Sequence, residues 1–96
     1  MKSYRLTPAA QRDLSEIWDF TQERWDKTQA EIYISELRAA IERIAADPRR
    51  GRACDDILEG YRRYSIGSHS VFYVERAESV DVIRILHQQM DPTRHV

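Results

Sequence analysis

The sequence predicts an α+β fold: a short N-terminal strand, then an antiparallel helical hairpin packed on a three-stranded antiparallel meander. Three observations carry this expectation. Two long segments of the N-terminal half repeat their apolar residues at helical spacing, the period changes to two after Gly60, and an irregular stretch from Pro48 to Gly60 separates the two regimes. Ninety-six residues leave room for one core, so residues 1–96 are read as a single domain.

Lys2 to Leu6 reads as a short strand. Thr7-Pro8 then pairs a capping threonine with proline at the first helical position, where the missing N–H costs nothing. From there Ala10, Leu14, Ile17, Trp18, Thr21 and Trp25 form an apolar stripe, with Asp13, Glu16, Asp19 and Glu23 on the opposite side; the first helix runs from about Pro8 to Arg24. Thr28 and Glu31 fit a capping box, and Ala30, Tyr33, Ile34, Leu37, Ala40, Ile41 and Ile44 continue a second helix from about Thr28 to Ala46. The short link at Trp25-Asp26-Lys27 makes the two helices antiparallel neighbours.

Arg49-Arg50-Gly51-Arg52 is a basic loop, and Cys54 to Glu59 is irregular. Tyr61–Ile66 and His69–Glu75 are strands joined by a two-residue turn at Gly67-Ser68. A looser turn at Arg76–Ser79 leads to the last strand, Val80–His87, rich in β-branched residues. The tail from Gln88 to Val96 is polar, and Asp91-Pro92 reads as a breaker of regular structure.

Strict alternation places Phe72 and Val74 on one face of the meander and His69, Val71 and Tyr73 on the other. In the last strand it sets Ile83 and Ile85 against Val80, Val82, Arg84 and Leu86. Both faces are then apolar, while one helical hairpin covers only one. Either loops and the tail cover the second face, or a protein partner does.

Composition narrows the function classes. Hydrophobic residues at 42% and charged residues at 32% describe a soluble globular protein. No stretch reaches the roughly 20 apolar residues of a membrane span, the N-terminus lacks a secretory apolar run, and a single cysteine makes no internal disulfide. These features predict a cytoplasmic protein with no membrane role. The net charge of −1 and the presence of only Lys2 and Lys27 argue against a protein that grips nucleic acid through phosphates.

Cys54 and the three histidines show no metal-ligand spacing, and no nucleophile elbow or phosphate loop is present, so neither a metal nor a cofactor is expected. Cys54 beside Arg52 is a weak candidate nucleophile. Arginine, which favours bidentate contact with carboxylate or phosphate, is concentrated at Arg49, Arg50, Arg52, Arg62 and Arg63, with Arg84 on the last strand. These residues either pair with Asp55, Asp56, Glu59, Glu75 or Asp81, stay solvated, or meet an anionic partner. Arg84 and His87, with tyrosines on the sheet, are also compatible with general acid–base cleavage of RNA.

Tyr4-Arg5-Leu6-Thr7-Pro8-Ala9-Ala10, followed by Asp13-Leu14 and Ile17-Trp18, resembles the opening of ParE toxins of the RelE/ParE toxin–antitoxin superfamily. Arg24-Trp25, Gln29-Ala30, Tyr33, Pro48, Gly51-Arg52, Gly60-Tyr61-Arg62, Gly67-Ser68-His69, Val71-Phe72-Tyr73 and Ile83 to Gln88 with Met90-Asp91 continue the likeness almost end to end. Asp26 stands where the family commonly has glycine, and aspartate tolerates the left-handed turn that glycine would adopt.

The resemblance implies the RelE/ParE fold and a non-catalytic type II toxin that inhibits DNA gyrase by protein binding. It also implies neutralisation by a ParD-type ribbon-helix-helix antitoxin in an even-numbered hetero-oligomer, with operator DNA contacted only through the antitoxin. An antitoxin tail folding onto the spare sheet face would meet Arg62, Arg63, Val71, Tyr73, Val82, Arg84, Leu86 and His87. Arg49, Arg50, Arg52 and Met90 are candidates for gyrase contact. The alternatives are a RelE-type ribosome-dependent messenger RNA endoribonuclease and a non-toxic binding module of the same fold.

Overall fold

A computed structural model describes residues 2–96. The chain runs β1 (Ser3–Leu6), α1 (Pro8–Arg24), α2 (Lys27–Ala46), a 3-10 turn at Pro48–Arg50, β2 (Arg52–Ala53), β3 (Tyr61–Ile66), β4 (His69–Glu75), β5 (Ser79–His87) and α3 (Pro92–His95). The strands form one five-stranded sheet in the order β1-β5-β4-β3-β2. The meander is antiparallel, as the sequence predicts, whereas β1 joins β5 in parallel and β2 adds a two-residue edge to β3. The basic loop and the N-terminal segment thus both become sheet edges.

Helix α1 starts where the sequence places it: the Thr7 side chain accepts from the Ala10 N–H at 3.1 Å, with Pro8 in the first turn. Helix α2 is capped two residues before the expected Thr28. The Asp26 carboxylate accepts from the Gln29 N–H at 2.7 Å, and a carboxylate at the helix start also meets the favourable end of the helix dipole. Asp26 lies at φ −170°, in extended backbone, so the left-handed turn expected there is not used. Trp25, placed by spacing on the buried stripe, sits past the last turn of α1 and is 69% exposed.

The core lies between the helical hairpin and one face of the sheet. Ala10, Ile17, Leu37, Ile41 and Ile44 from the helices are buried with Val71, Tyr73, Val80, Val82 and Ile85 from the strands. Val71, Tyr73 and Val82 have no exposed surface, so these three antitoxin-contact candidates are core residues instead.

A bulge in the β4–β5 ladder explains why alternation misled. Phe72 is opposite Arg84 and Tyr73 opposite Val82, so Ile83 has no partner and the alternation inverts after it. Ile85 therefore joins Val80 and Val82 in the core, while Leu86 moves to the other face with Phe72 and Cys54. A one-residue slip exchanges every later side chain between faces. That second face is covered in its centre by the chain itself: Ile57, Tyr61 and Val96 pack on Cys54, Phe72 and Leu86. Loop and tail cover the second apolar face. Asp91-Pro92 does not end regular structure but begins α3, with Asp91 accepting from the Thr93 N–H at 3.0 Å.

Beyond Val82 the outer edge of β5 has no strand beside it, and side chains near the start of α1 take that place. Thr7 donates its N–H to Val82 O at 3.0 Å and its hydroxyl to Ile83 O at 2.7 Å, while Asp13 accepts the Ile85 N–H at 2.9 Å. Asp13, read as part of the acidic outer stripe, is 6% exposed. Among the described residues no helix is long and apolar enough to cross a membrane.

Candidate functional site

The structure distributes the candidate residues over three places. At the first, the β2–β3 edge, the sheet gathers arginines. Arg52 and Arg63 are cross-strand partners, and Arg63 is in turn opposite Phe72, over whose ring its guanidinium lies at 5.4 Å. Like charges directly opposite one another destabilise a ladder. The Arg63 Nε is buried without a hydrogen-bond partner. Arg49 and Arg50 are exposed in the 3-10 turn next to Arg52. The ion pairs among the described residues involve Lys2, Arg5, Arg76, Arg84 and Arg94, so none neutralises this edge.

Arg62 belongs to this stretch in sequence but not in space. It shares the core side of the sheet with its cross-strand neighbour Tyr73, and its Nη1 donates to Gly51 O at 2.8 Å. The Tyr73 hydroxyl accepts the Gly51 N–H at 2.9 Å and donates to Pro48 O at 2.7 Å. Any side chain at Gly51 would collide with that hydroxyl. Arg62 and Tyr73 therefore hold the loop that presents Arg49, Arg50 and Arg52.

The second place is Arg84. Its Nε and Nη2 each donate to Asp13 at 2.8 Å, a bidentate pair, and Nη1 donates to His95 O at 2.9 Å. Asp13 raises the Arg84 pKa further. The guanidinium is committed to joining α1, β5 and the tail. Its partner differs from the five carboxylates that the sequence suggested.

The third place was not found from the sequence. A cleft of about 540 Å³ opens between the end of α1, the start of α2 and the β3–β4 turn, lined by Phe20, Trp25, Asp26, Tyr33, His69 and His87 among others. His69 and His87 are cross-strand partners with ring centroids 5.3 Å apart, edge to face. Ser68 donates its N–H to the Tyr33 oxygen at 3.1 Å, and the same hydroxyl lies 2.6 Å from Nδ1 of His69 and 3.5 Å from Ile66 O. Burial, with a contribution from His87, lowers the His69 pKa to about 4, so this imidazole is neutral at pH 7. His87 accepts the Gln89 N–H at Nδ1, at 3.1 Å. Phe20 is 62% exposed at the rim. One signal was available in sequence, since His69 and His87 sit where the antiparallel strands must align.

Of the remaining candidates, Met90 is 39% exposed and Leu86 is 2% exposed beneath the loop and tail. Burial pushes the Cys54 thiol up, which disfavours the thiolate a nucleophile needs. Among the described residues no group of three or more His, Cys, Asp or Glu side chains is arranged to hold a metal ion. Arg84 and His87 do not act on one point: the first faces Asp13 and the second lines the cleft, which no arginine or lysine lines.

With this geometry in hand, comparison with known proteins gives consistent matches. Residues 4–92 match the profile described as ParE toxin of type II toxin–antitoxin system, parDE. The chain is 55% identical over 94 residues to Toxin ParE1 of Mycobacterium tuberculosis (strain ATCC 25618 / H37Rv), covering 97% of this chain and 96% of that protein. It is 44% identical over 96 residues to Toxin ParE1 of Caulobacter vibrioides, covering 100% of this chain and 99% of that one. Among solved structures, a chain of the chromosomal ParDE toxin–antitoxin system from P. aeruginosa superposes with a TM-score of 0.79 at 17% identity, covering 91% of this chain and 96% of that chain. A chain of the toxin–antitoxin complex RelBE2 from Mycobacterium tuberculosis gives 0.68 at 20% identity, covering 91% and 98%. At such identities the structural likenesses establish the fold.

Proposed function

The chain belongs to the ParE toxin family of type II toxin–antitoxin systems, and from that premise we propose that it inhibits DNA gyrase by protein binding and is neutralised by a ParD-type antitoxin. The single observation that carries this reading is the near full-length similarity, at 55% and 44% identity, to two proteins named Toxin ParE1. The site geometry supports a non-catalytic mode. Cleavage of RNA needs a cation near the acid–base pair to stabilise the charge developing on phosphate; of the arginines considered for that role, Arg84 is bound by Asp13 on two nitrogens, and neither Arg62 nor Arg63 lines the cleft that holds His87.

The proposed antitoxin contact centres on Arg63 and the rim of the outer sheet face, where a disordered acidic segment would fold against unneutralised guanidinium groups. The proposed gyrase contact comprises Arg49, Arg50, Arg52 and Met90. Arg52 and Arg63 are cross-strand neighbours, so the two surfaces adjoin, and an antitoxin held at Arg63 would obstruct the gyrase surface. An even-numbered complex with a ribbon-helix-helix antitoxin, contacting operator DNA through that antitoxin, belongs to the same proposal.

The test is incubation of the purified chain with gyrase, ATP and supercoiled plasmid, followed by denaturation. Linear DNA that disappears on adding the ParD-type antitoxin supports the reading. Intact plasmid from a preparation toxic in cells overturns it and favours the ribosome-dependent ribonuclease.

A further inference from the structure

Of the residues named above for partner contact only His87 reaches the aromatic cleft, whose lining has an unusual chemistry. Five aromatic or imidazole rings line it (Phe20, Trp25, Tyr33, His69 and His87), and Asp26 is its only formally charged lining residue. Phe20 and Trp25 leave more than half of their surface in water, which a stable monomer rarely does with two large rings at one site. One Asp26 oxygen accepts the Gln29 N–H; the other makes no hydrogen bond among the described residues.

We propose that this cleft receives a cationic side chain, arginine by shape, presented by a partner polypeptide. The faces of aromatic rings carry negative potential and attract a cation within about 6 Å of the ring centre, most strongly for tryptophan. A planar guanidinium can stack on one ring while donating to a carboxylate, which an ammonium does less well. Asp26 supplies that carboxylate at the rim. His69 adds no competing positive charge near pH 7, since burial keeps its imidazole neutral, with Nδ1 hydrogen-bonded to the Tyr33 hydroxyl at 2.6 Å. Arg24 and Lys27 flank the interhelical turn, but neither lines the cleft. A purely apolar occupant would leave the second oxygen of Asp26 and the Nε2 atoms of His69 and His87, which make no hydrogen bond among the described residues, without partners.

This inference does not depend on gyrase being the target, and its test reads binding alone. N-acetyl-arginine methylamide is titrated into the full-length chain near pH 7.5, with the Trp25 indole and the His69 and His87 imidazole resonances followed by NMR. The comparators are N-acetyl-citrulline methylamide, which keeps the shape without the charge, and N-acetyl-leucine methylamide. Saturable shifts are expected with arginine, with citrulline about tenfold weaker, the size of one desolvated cation–π contact with its carboxylate. Asp26→Asn retains a good helix cap while removing the charge. It should weaken arginine binding several-fold and leave the melting temperature in place. Trp25→Leu should abolish the shifts of His69 and His87; if that variant fails to fold, Asp26→Asn decides. Equal binding of arginine and citrulline, tighter binding of leucine, or shifts that never saturate would overturn the proposal.

Discussion

Asp13 shows how much a single side chain carries in this fold. One carboxylate accepts two bonds from the Arg84 guanidinium and one from the backbone of Ile85, while only 6% exposed. Removing it leaves a largely buried guanidinium without its counter-charge and an edge N–H without an acceptor. Asp13→Ala should therefore cost about 3 kcal/mol, read as a fall in urea midpoint. Arg84→Met keeps the Ile85 N–H bond but strands the more deeply buried Asp13 carboxylate, so its cost should be of similar size. Equal losses would mean that the ion pair, not the edge bond, sets the cost. A second residue-scale prediction concerns His69, whose pKa falls from 6.5 to about 4 on folding. Between these values the unfolded chain binds a proton that the native imidazole refuses, so stability is full above about pH 6.5 and declines as pH falls toward 4. The carboxylates with lowered pKa, Glu75, Asp81 and Asp91, start from ordinary values of 4.5, 3.8 and 3.8, so their contribution is lost mainly below pH 4.5. Urea midpoints from pH 4.5 to 7.5 should slope less in His69→Gln, which keeps an acceptor for Tyr33; parallel curves would exclude His69 as the cause.

The secondary-structure elements were legible from the sequence where local chemistry decides them and illegible where long-range pairing does. Thr7-Pro8 fixed the start of α1, and Gly67, at φ +56°, allowed the tight turn between β3 and β4. Asp26 displaced the Thr28 cap because either residue satisfies the local rule, and only the path of the interhelical link chooses between them. The bulge left no local mark: Ile83, Arg84 and Ile85 read as regular alternation, and the inversion arises from how β5 meets β4 and α1. One wrong parity put Leu86 with Val80 and Val82 on a single face, read as the spare one for Val82 and Leu86, and hid both that Val82 is core and that loop and tail cover the outer face. The cleft was missed for the same reason, since it draws on α1, α2, β4 and β5 at once. The loop bearing Arg49, Arg50 and Arg52 offers an element-scale prediction, because the Tyr73 hydroxyl holds it through Gly51 and Pro48. Tyr73→Phe deletes both bonds and strands a buried N–H, which should cost about 1–3 kcal/mol. Amide exchange at Gly51 should accelerate well beyond the change in global stability. If it accelerates only in step with global unfolding, the loop is held by something else.

Across the whole molecule the net charge of −1 conceals a division of labour. Arginines that hold the fold have partners: Arg84 on Asp13, Arg5 and Arg76 on Asp81, and Arg62 on Gly51 O. Arg49, Arg50 and Arg52 are exposed and outside every ion pair of the described residues. Surface charges of this kind contribute little to stability, so their removal separates folding from recognition in a way that core substitutions cannot. The triple variant Arg49→Glu, Arg50→Glu, Arg52→Glu should unfold within about 0.5 kcal/mol of the parent. It should lose linearisation of plasmid by gyrase, and antitoxin affinity should fall less because Arg63 remains. Retained gyrase poisoning at unchanged stability would move the target surface elsewhere, with the Phe20–Trp25 cleft the next place to examine. A large loss of stability would instead show that these arginines are structural, and that the division drawn between the paired and unpaired sets does not hold.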